Sequence, residues 1–368
     1  MAHTPTTSAP SDDGPEEGIG LTLSGGGYRA MLYHVGAIVR LHEFGLLSEV
    51  KRVSSVSGGS ITAGVLALAW DAVATRDALF ARVVDPLRAL AGRTVDVRAT
   101  LGGILLPGKA SRFVEGSYDK HLFGGATLQD LPDYPLFVIN ATNLETGALW
   151  RFTKFFMGDW KVGRISRPDL RLAAAVTASS AFPPVLSPYM LKVEPDAFDK
   201  PALGLGDAFR RKIMLSDGGI YDNYGLEPIY KRYRDVLVSD GGGQLPMNAA
   251  PPATWGRHTA RVLSVIHAQV HALRSRQLVG DYQSGARRGA FWSIRTPMER
   301  FALADPIAVP AEAVAALAQT PTRLSAMDAG LQERLINLGY AQCDAAVRAY
   351  YRLGTARGAA LPYPDREF

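Results

Sequence analysis

Residues 52–64 read Arg-Val-Ser-Ser-Val-Ser-Gly-Gly-Ser-Ile-Thr-Ala-Gly, and the reading turns on Ser57. The β-type run Val53–Val56 stops at this serine, Gly58 and Gly59 follow, and the small residues from Ser60 to Trp70 suit a helix. The predicted unit is a strand, a tight turn carrying a serine, and a helix. Such a turn lifts a hydroxyl clear of the backbone and aims a helix N-terminus at whatever the hydroxyl attacks. The G-x-S-x-G elbow pattern lacks its first glycine here, where Ser55 stands instead. Serine is small enough for that position. A Ser/Gly-rich loop capping a helix has the same composition, so the fragment alone leaves both readings open.

The 368 residues are 47% hydrophobic and 20% charged, which suits one large folded α/β domain or two smaller ones. A formal net charge of +5, with no basic run, is too weak to argue for nucleic acid. Cys343 is the single cysteine, so no intramolecular disulfide forms and no Cys/His metal cluster is expected. That usage suits a reducing compartment, and the expected location is cytoplasmic. Residues 1–17 hold Pro5, Pro10, Pro15 and four acids without Lys or Arg, and read as a disordered tail rather than a signal peptide. No apolar run approaches the ~18–20 residues of a spanning helix, so a membrane would be met peripherally, from its surface.

Ile19–Ser24 reads as a strand, Gly25-Gly26-Gly27 follows, and Tyr28–Gly45 carries helical apolar spacing through Met31, Val35, Ile38, Leu41 and Phe44. With the serine elbow next, the chain opens β-α-β-α, which argues for a parallel sheet. Residues 71–130 look irregular, with loops at Gly102–Gly108 and Gly124–Pro132, and their position makes them a candidate lid. Strands are expected at Pro135–Asn140, Ala148–Thr153, Ile213–Ser216 and Val236–Ser239, and helices at Leu170–Ser180, Arg261–Leu278 and within Ala311–Leu353. The expected partition is a tail (1–17), a core (18–240) and a helical C-terminal extension (241–368) packed on the same domain.

A serine hydroxyl needs a base and donors for the developing oxyanion. Three glycines at a strand end let Gly25, Gly26 and Gly27 turn backbone N–H groups to one point, and Arg29 adds charge or braces the loop. The same residues fit a G-x-G-x-x-A dinucleotide pattern, but the acid it expects about 20 positions on is absent, because that strand runs into Ser57 and Gly58. The base candidate is Asp217, which ends a strand before Gly218-Gly219. Asp240, followed by Gly241-Gly242-Gly243, is a second copy that spacing alone does not reject.

Together, the GGGxR loop, the serine elbow, Ala178-Ser179-Ser180-Ala181-Phe182-Pro183-Pro184, and Asp217-Gly218-Gly219 with Asn223 and Pro228 resemble the patatin-like phospholipase family. The GGGYRAM and SGGS fragments are also similar to catalytic segments of cytosolic phospholipase A2. The resemblance covers residues 18–240. It implies a three-layer α/β/α sandwich with a mostly parallel central sheet and extra C-terminal helices. It further implies Ser57 as nucleophile, Asp217 as its direct partner with no histidine, and an oxyanion hole from Gly25–Gly27 with Arg29. The Asn223/Pro228 continuation follows Asp217 and is missing after Asp240. The implied activity is hydrolysis of phospholipids or other lipid esters without cofactor. Acyl transfer by the same dyad and a catalytically silent lipid-binding module are the alternatives.

Seven histidines also permit a Ser-Asp-His triad completed by His258, His267 or His271. Ser60 reads as a helix residue, Ser179 and Ser180 as a cap, and Asp222 as a turn acid. Residues 151–171 carry six bases against two acids, net +4, with Phe155, Phe156, Met157 and Trp160 interleaved. That pattern suits anionic lipid headgroups, but a strand pair with a solvated charged edge is the simpler and preferred reading.

Overall fold

A computed structural model describes residues 14–95, 109–199 and 203–368. Ten strands form one sheet: β1 (Glu16–Leu23), β2 (Val50–Val56), β3 (Leu136–Asn143), β4 (Ala148–Phe152), β5 (Phe156–Asp159), β6 (Gly163–Ser166), β7 (Tyr189–Lys192), β8 (Lys212–Asp217), β9 (Tyr233–Asp240) and β10 (Arg288–Ser293). The main path runs β10-β9-β1-β2-β3-β4-β5-β6, with β8 also paired to β3 and β7 to β8. The α/β fold is as expected, but the sheet is mixed. β10, β9, β1, β2 and β3 are parallel, while β4 to β8 join antiparallel. Short connections such as Leu144–Gly147 allow only antiparallel neighbours, which shifts that half of the sheet away from the βαβ pattern of the opening.

The longer helices are α1 (Gly27–Glu43), α2 (Gly58–Leu68), α3 (Asp85–Ala91), α4 (Lys109–Tyr118), α5 (Leu172–Ser179), α6 (Trp255–Gln283), α7 (Ala311–Ala318) and α8 (Ala329–Tyr350). Alternation along β9 makes the layers: Leu237 joins the large core with α1 and α8, whereas Val236 and Val238 face a smaller core with Tyr224, Ile229 and Leu278.

Three expectations change. The strand β1 begins at Glu16, inside the expected tail. Residues 76–91 and 109–123 are largely helical rather than irregular, and Leu79, Val83, Leu87 and Val114 enter the core. Glycines and prolines nearby hid their i, i+4 spacing; the Gly102–Gly108 loop lies outside the described residues. The C-terminal part is not purely helical, since β10 extends the sheet beside β9.

Helix α8 is the most deeply buried part of that extension. It crosses α1 at Gly36 and Gly339, where an added Cβ would lie 1.9 Å from the Ile336 and Tyr33 carbonyl oxygens, respectively. Its Asp344 is fully buried between Arg40 (2.7 Å) and Arg348 (3.2 Å), so two cations share one carboxylate. Cys343 packs there too, and burial raises its thiol pKa well above the ordinary value, which fits an inert core residue.

The basic-aromatic stretch 151–171 folds as β4–β5–β6. Arg151 and Arg164 both stack on Phe156, Phe152 and Met157 are buried, and Trp160 is exposed. Gly36→Val is expected to destabilise the fold by ~3 kcal/mol through overpacking at the α1–α8 crossing. Urea unfolding should show a lower midpoint with an unchanged slope.

Candidate active site

Strand β3 is the ruler on which the site is measured. Its Asn140 pairs with Val56, the last residue of β2, and its next residue, Ala141, pairs with Asp217, the last residue of β8. Because β2 runs parallel and β8 antiparallel to β3, the two C-terminal ends meet head-on. Ser57 leaves one end and Asp217 closes the other.

Ser57 adopts φ 52°, ψ −121°, a left-handed conformation that L-residues rarely hold. Such backbone strain costs about 1–3 kcal/mol and persists where surrounding structure enforces it. The enforcement here is a chain of hydroxyls. Ser57 N–H donates to Ser179 Oγ (3.0 Å), Ser179 and Ser60 Oγ are bonded (2.8 Å), and Ser60 Oγ donates to Ser55 Oγ (2.9 Å). Ser55 therefore sits inside β2, clear of the strained residue, and its hydroxyl joins the brace. Asn140 Nδ2 adds bonds to Ser54 Oγ and the Ser55 carbonyl, each at 2.9 Å. The brace was missed in the sequence, where Ser60 and Ser179 read as helix and cap residues; only Ser180 caps, through Val176 O (2.8 Å).

Asp217 is buried. Its Oδ1 accepts from Gly219 N–H (2.7 Å), and its Oδ2 has no hydrogen-bond partner. Burial pushes its pKa up to about 6, while the Gly219 N–H and the nearby Ser57 hydroxyl pull it back. The hydroxyl lies close enough to favour the charged form but outside hydrogen-bond geometry in this resting arrangement. A free carboxylate oxygen with a pKa near neutrality is what a general base requires.

The glycine loop divides its work. Gly25 N–H is used by the Asn223 carbonyl (3.1 Å), and Gly59 N–H by Ser24 O (3.1 Å). The N–H groups of Gly26, Gly27 and Gly58 make no hydrogen bond among the described residues. Gly27 and Gly58 touch: a Cβ on Gly58 would lie 2.2 Å from Gly27 O. The open donors thus come from two helix N-termini, those of α1 and α2. Arg29 is placed as a brace. Its buried guanidinium bonds the Gly241 carbonyl (3.0 Å) and Thr320 O, and burial lowers its pKa to about 10.

The second Asp-Gly-Gly is different in kind. Asp240 is fully buried among Ser293 Oγ (2.8 Å), Arg295 (3.1 Å) and His271 (3.6 Å). Burial alone would raise its pKa, but His271, Arg295 and Ser293 prevail and hold it well below the usual carboxylate range. Asp222 is a turn acid, accepting from Tyr224 and Glu227 N–H. His271 stacks on Tyr224 and bonds its hydroxyl (3.0 Å), and His258 lies on the exposed part of α6. Among the described residues no histidine bonds to Ser57 or Asp217, and no group of His, Cys, Asp and Glu could hold a metal.

A family model for patatin-like phospholipases matches residues 21–230, more than half of the chain. The chain belongs to the patatin-like phospholipase family. Among solved structures it is similar to human GIVD cytosolic phospholipase A2, at 12% identity and a TM-score of 0.51, covering 89% of this chain and 59% of that one. The same human enzyme in complex with methyl gamma-linolenyl fluorophosphonate gives 15% identity and a TM-score of 0.51, covering 89% and 57%. This chain therefore spans less than two thirds of those proteins, and at such identity the likeness shows the fold. No curated protein matches by sequence. Membership makes lipid hydrolase chemistry the family frame for this patatin-like chain.

Opposite pKa shifts give opposite expectations. For Asp217 the folded pKa is raised, so stability falls as pH rises from about 4 through 6, by ~2–3 kcal/mol. Asp217→Asn should therefore be more stable than the parent at pH 8 and not at pH 4. For Asp240 the folded pKa is depressed, so its stabilisation is full above the unfolded value near 4 and lost as pH falls through the folded one. Asp240→Asn should lose about 1–3 kcal/mol at pH 7, because the half-buried Arg295 and the Ser293 hydroxyl lose their charged partner. Chemical denaturation at both pH values checks the pair.

Proposed function

We propose that this chain is a serine-dependent lipid acyl hydrolase of the phospholipase A or lysophospholipase type, using Ser57 and Asp217 as a dyad. The observation that carries this is the meeting of the strained Ser57 elbow with the partnerless Oδ2 of Asp217 at one point on β3.

Asp217 Oδ2 takes the Ser57 proton as Oγ attacks the ester carbonyl carbon. The carbonyl electrons move onto oxygen, and the open N–H groups of Gly26, Gly27 and Gly58 receive that charge at the positive ends of α1 and α2. Collapse breaks the ester C–O bond, and the departing alcohol takes the proton from Asp217. The acyl group is now on Ser57. Asp217 next removes a proton from water, hydroxide attacks the acyl carbon, and collapse returns the proton to Ser57 while releasing a fatty acid. Every step uses protein groups and water.

The Ser57-Asp217 arrangement makes a histidine unnecessary because burial already places the carboxyl pKa at about 6. An unperturbed carboxylate would be too weak a base. The human structure bound to a fluorophosphonate supplies the probe class for a test. Ser57→Ala is expected to abolish labelling by a fluorophosphonate, and labelling that persists at another serine overturns the assignment. Asp217→Asn should lower kcat on a short-chain ester by about 10²–10⁴. For the parent, kcat/KM should rise with pH and level off above about 6.

A further inference from the structure

Helix α6 carries large apolar side chains on the side turned away from the protein. Its buried residues are His271 and Leu278, with Tyr282 packed on the smaller core one turn further on. Trp255, Val262, Ile266 and Leu273 follow one another at spacings of 7, 4 and 7, so they form one stripe on the opposite side. They are exposed: Trp255 88%, Val262 42%, Ile266 54% and Leu273 57%, with Leu263 at 60% beside them. No residue from Trp255 to Val270 is buried. A solvated surface helix has its charged face outward, whereas this one exposes a row of large apolar side chains.

Charge says what covers the stripe. Residues 241–280 contain no Asp or Glu, and 241–254 contain no charged residue at all. Arg257, Arg261 and Arg276 make no ion pair among the described residues, while Arg274 lies near Asp222 and Glu227. A helix with an exposed apolar stripe, unpaired arginines and no acid before its last turn, where Asp281 bonds Tyr230, suits the headgroup boundary of an anionic bilayer. The helix also borders the candidate site. His267, Val270, His271 and Arg274 line a small open pocket with Gly219 and Asn223. Asn223 in turn approaches Gly25, where a Cβ would lie 2.5 Å from its Oδ1.

We propose that α6 is an interfacial helix whose outward stripe seats the protein on an anionic phospholipid bilayer, beside the Ser57 site. The choice of bilayer rests on the lipid-ester reading given above. The stripe, rather than the basic-aromatic stretch 151–171, is the docking surface, because the rings and arginines of that stretch already partner one another.

Vesicle co-sedimentation of Ser57→Ala protein, which leaves lipid intact, tests this on phosphatidylcholine vesicles with and without phosphatidylglycerol. Binding to the anionic vesicles, weakened by salt, is expected. The additional changes Leu263→Gln, Ile266→Gln and Leu273→Gln should weaken it by roughly tenfold or more. Brominated lipids should quench tryptophan emission, and quenching should fall in Trp255→Phe. With Ser57 intact, the triple variant should keep its rate on a soluble short-chain ester and lose rate on vesicles. Equal vesicle binding by parent and triple variant overturns the proposal. So does a lipid-free dimer, seen by sedimentation velocity, that the triple variant dissolves, because the stripe then belongs to a second copy. Vesicle binding through α6 with no ester hydrolysis supports the seat and overturns the hydrolase reading instead.

Discussion

The pairing of one residue step on β3 governs this molecule. Val56 opposite Asn140 and Asp217 opposite Ala141 put the ends of two strands of opposite direction in contact. Backbone hydrogen bonds fix that register, and a one-residue slip would turn every side chain to the other face of the sheet. Ser57, α2 and the glycine loop are carried by the parallel half; Asp217 is carried by the antiparallel half. A wholly parallel sheet would set strand ends side by side, whereas the mixed sheet sets these two end to end.

Electrostatics then separates two carboxylates with the same Asp-Gly-Gly continuation. Asp217 meets one N–H and a neighbouring hydroxyl in a buried setting, so its charge is poorly stabilised and its pKa is raised. Asp240 meets Arg295, His271 and Ser293, so its charge is held. The first keeps an unpaired oxygen at a stability cost, and the second anchors the end of β9 beside the glycine loop, which Arg29 joins through Gly241. Pairs of titratable groups pushed apart in this way mark a division of roles.

The C-terminal third is bound into this arrangement. Helix α8 crosses α1 at two glycines, and α1 starts at Gly27, so packing at residues 329–350 positions the loop's helix. The hydroxyl chain Ser55–Ser60–Ser179 fixes the opposite side of the elbow by satisfying buried polar groups locally.

The β-α-β-α opening and the strand, turn and helix around Ser57 were legible because their signals are short-range, while the preference for Asp217 over Asp240 rested on the ordered set of motifs. Strand, turn and helix signals need only neighbouring residues, and the ordered set of motifs carried the family. The mixed sheet was not legible because its short antiparallel connections carry no helix between strands, the helices within 71–130 because nearby glycines and prolines masked their spacing, and β10 because its partner β9 lies far off in sequence. Nor was the division among the glycines: the occupied Gly25 and the open Gly58 differ only through Asn223, more than 160 residues away. The same holds for the outward stripe of α6, whose apolar spacing reads like core until the packing shows which side is left bare. Sequence by itself determined which groups the chain has to offer, because chemistry is local. Tertiary structure decided which of them meet, which are neutralised and which face out, because burial and long-range pairing set charge, exposure and reach.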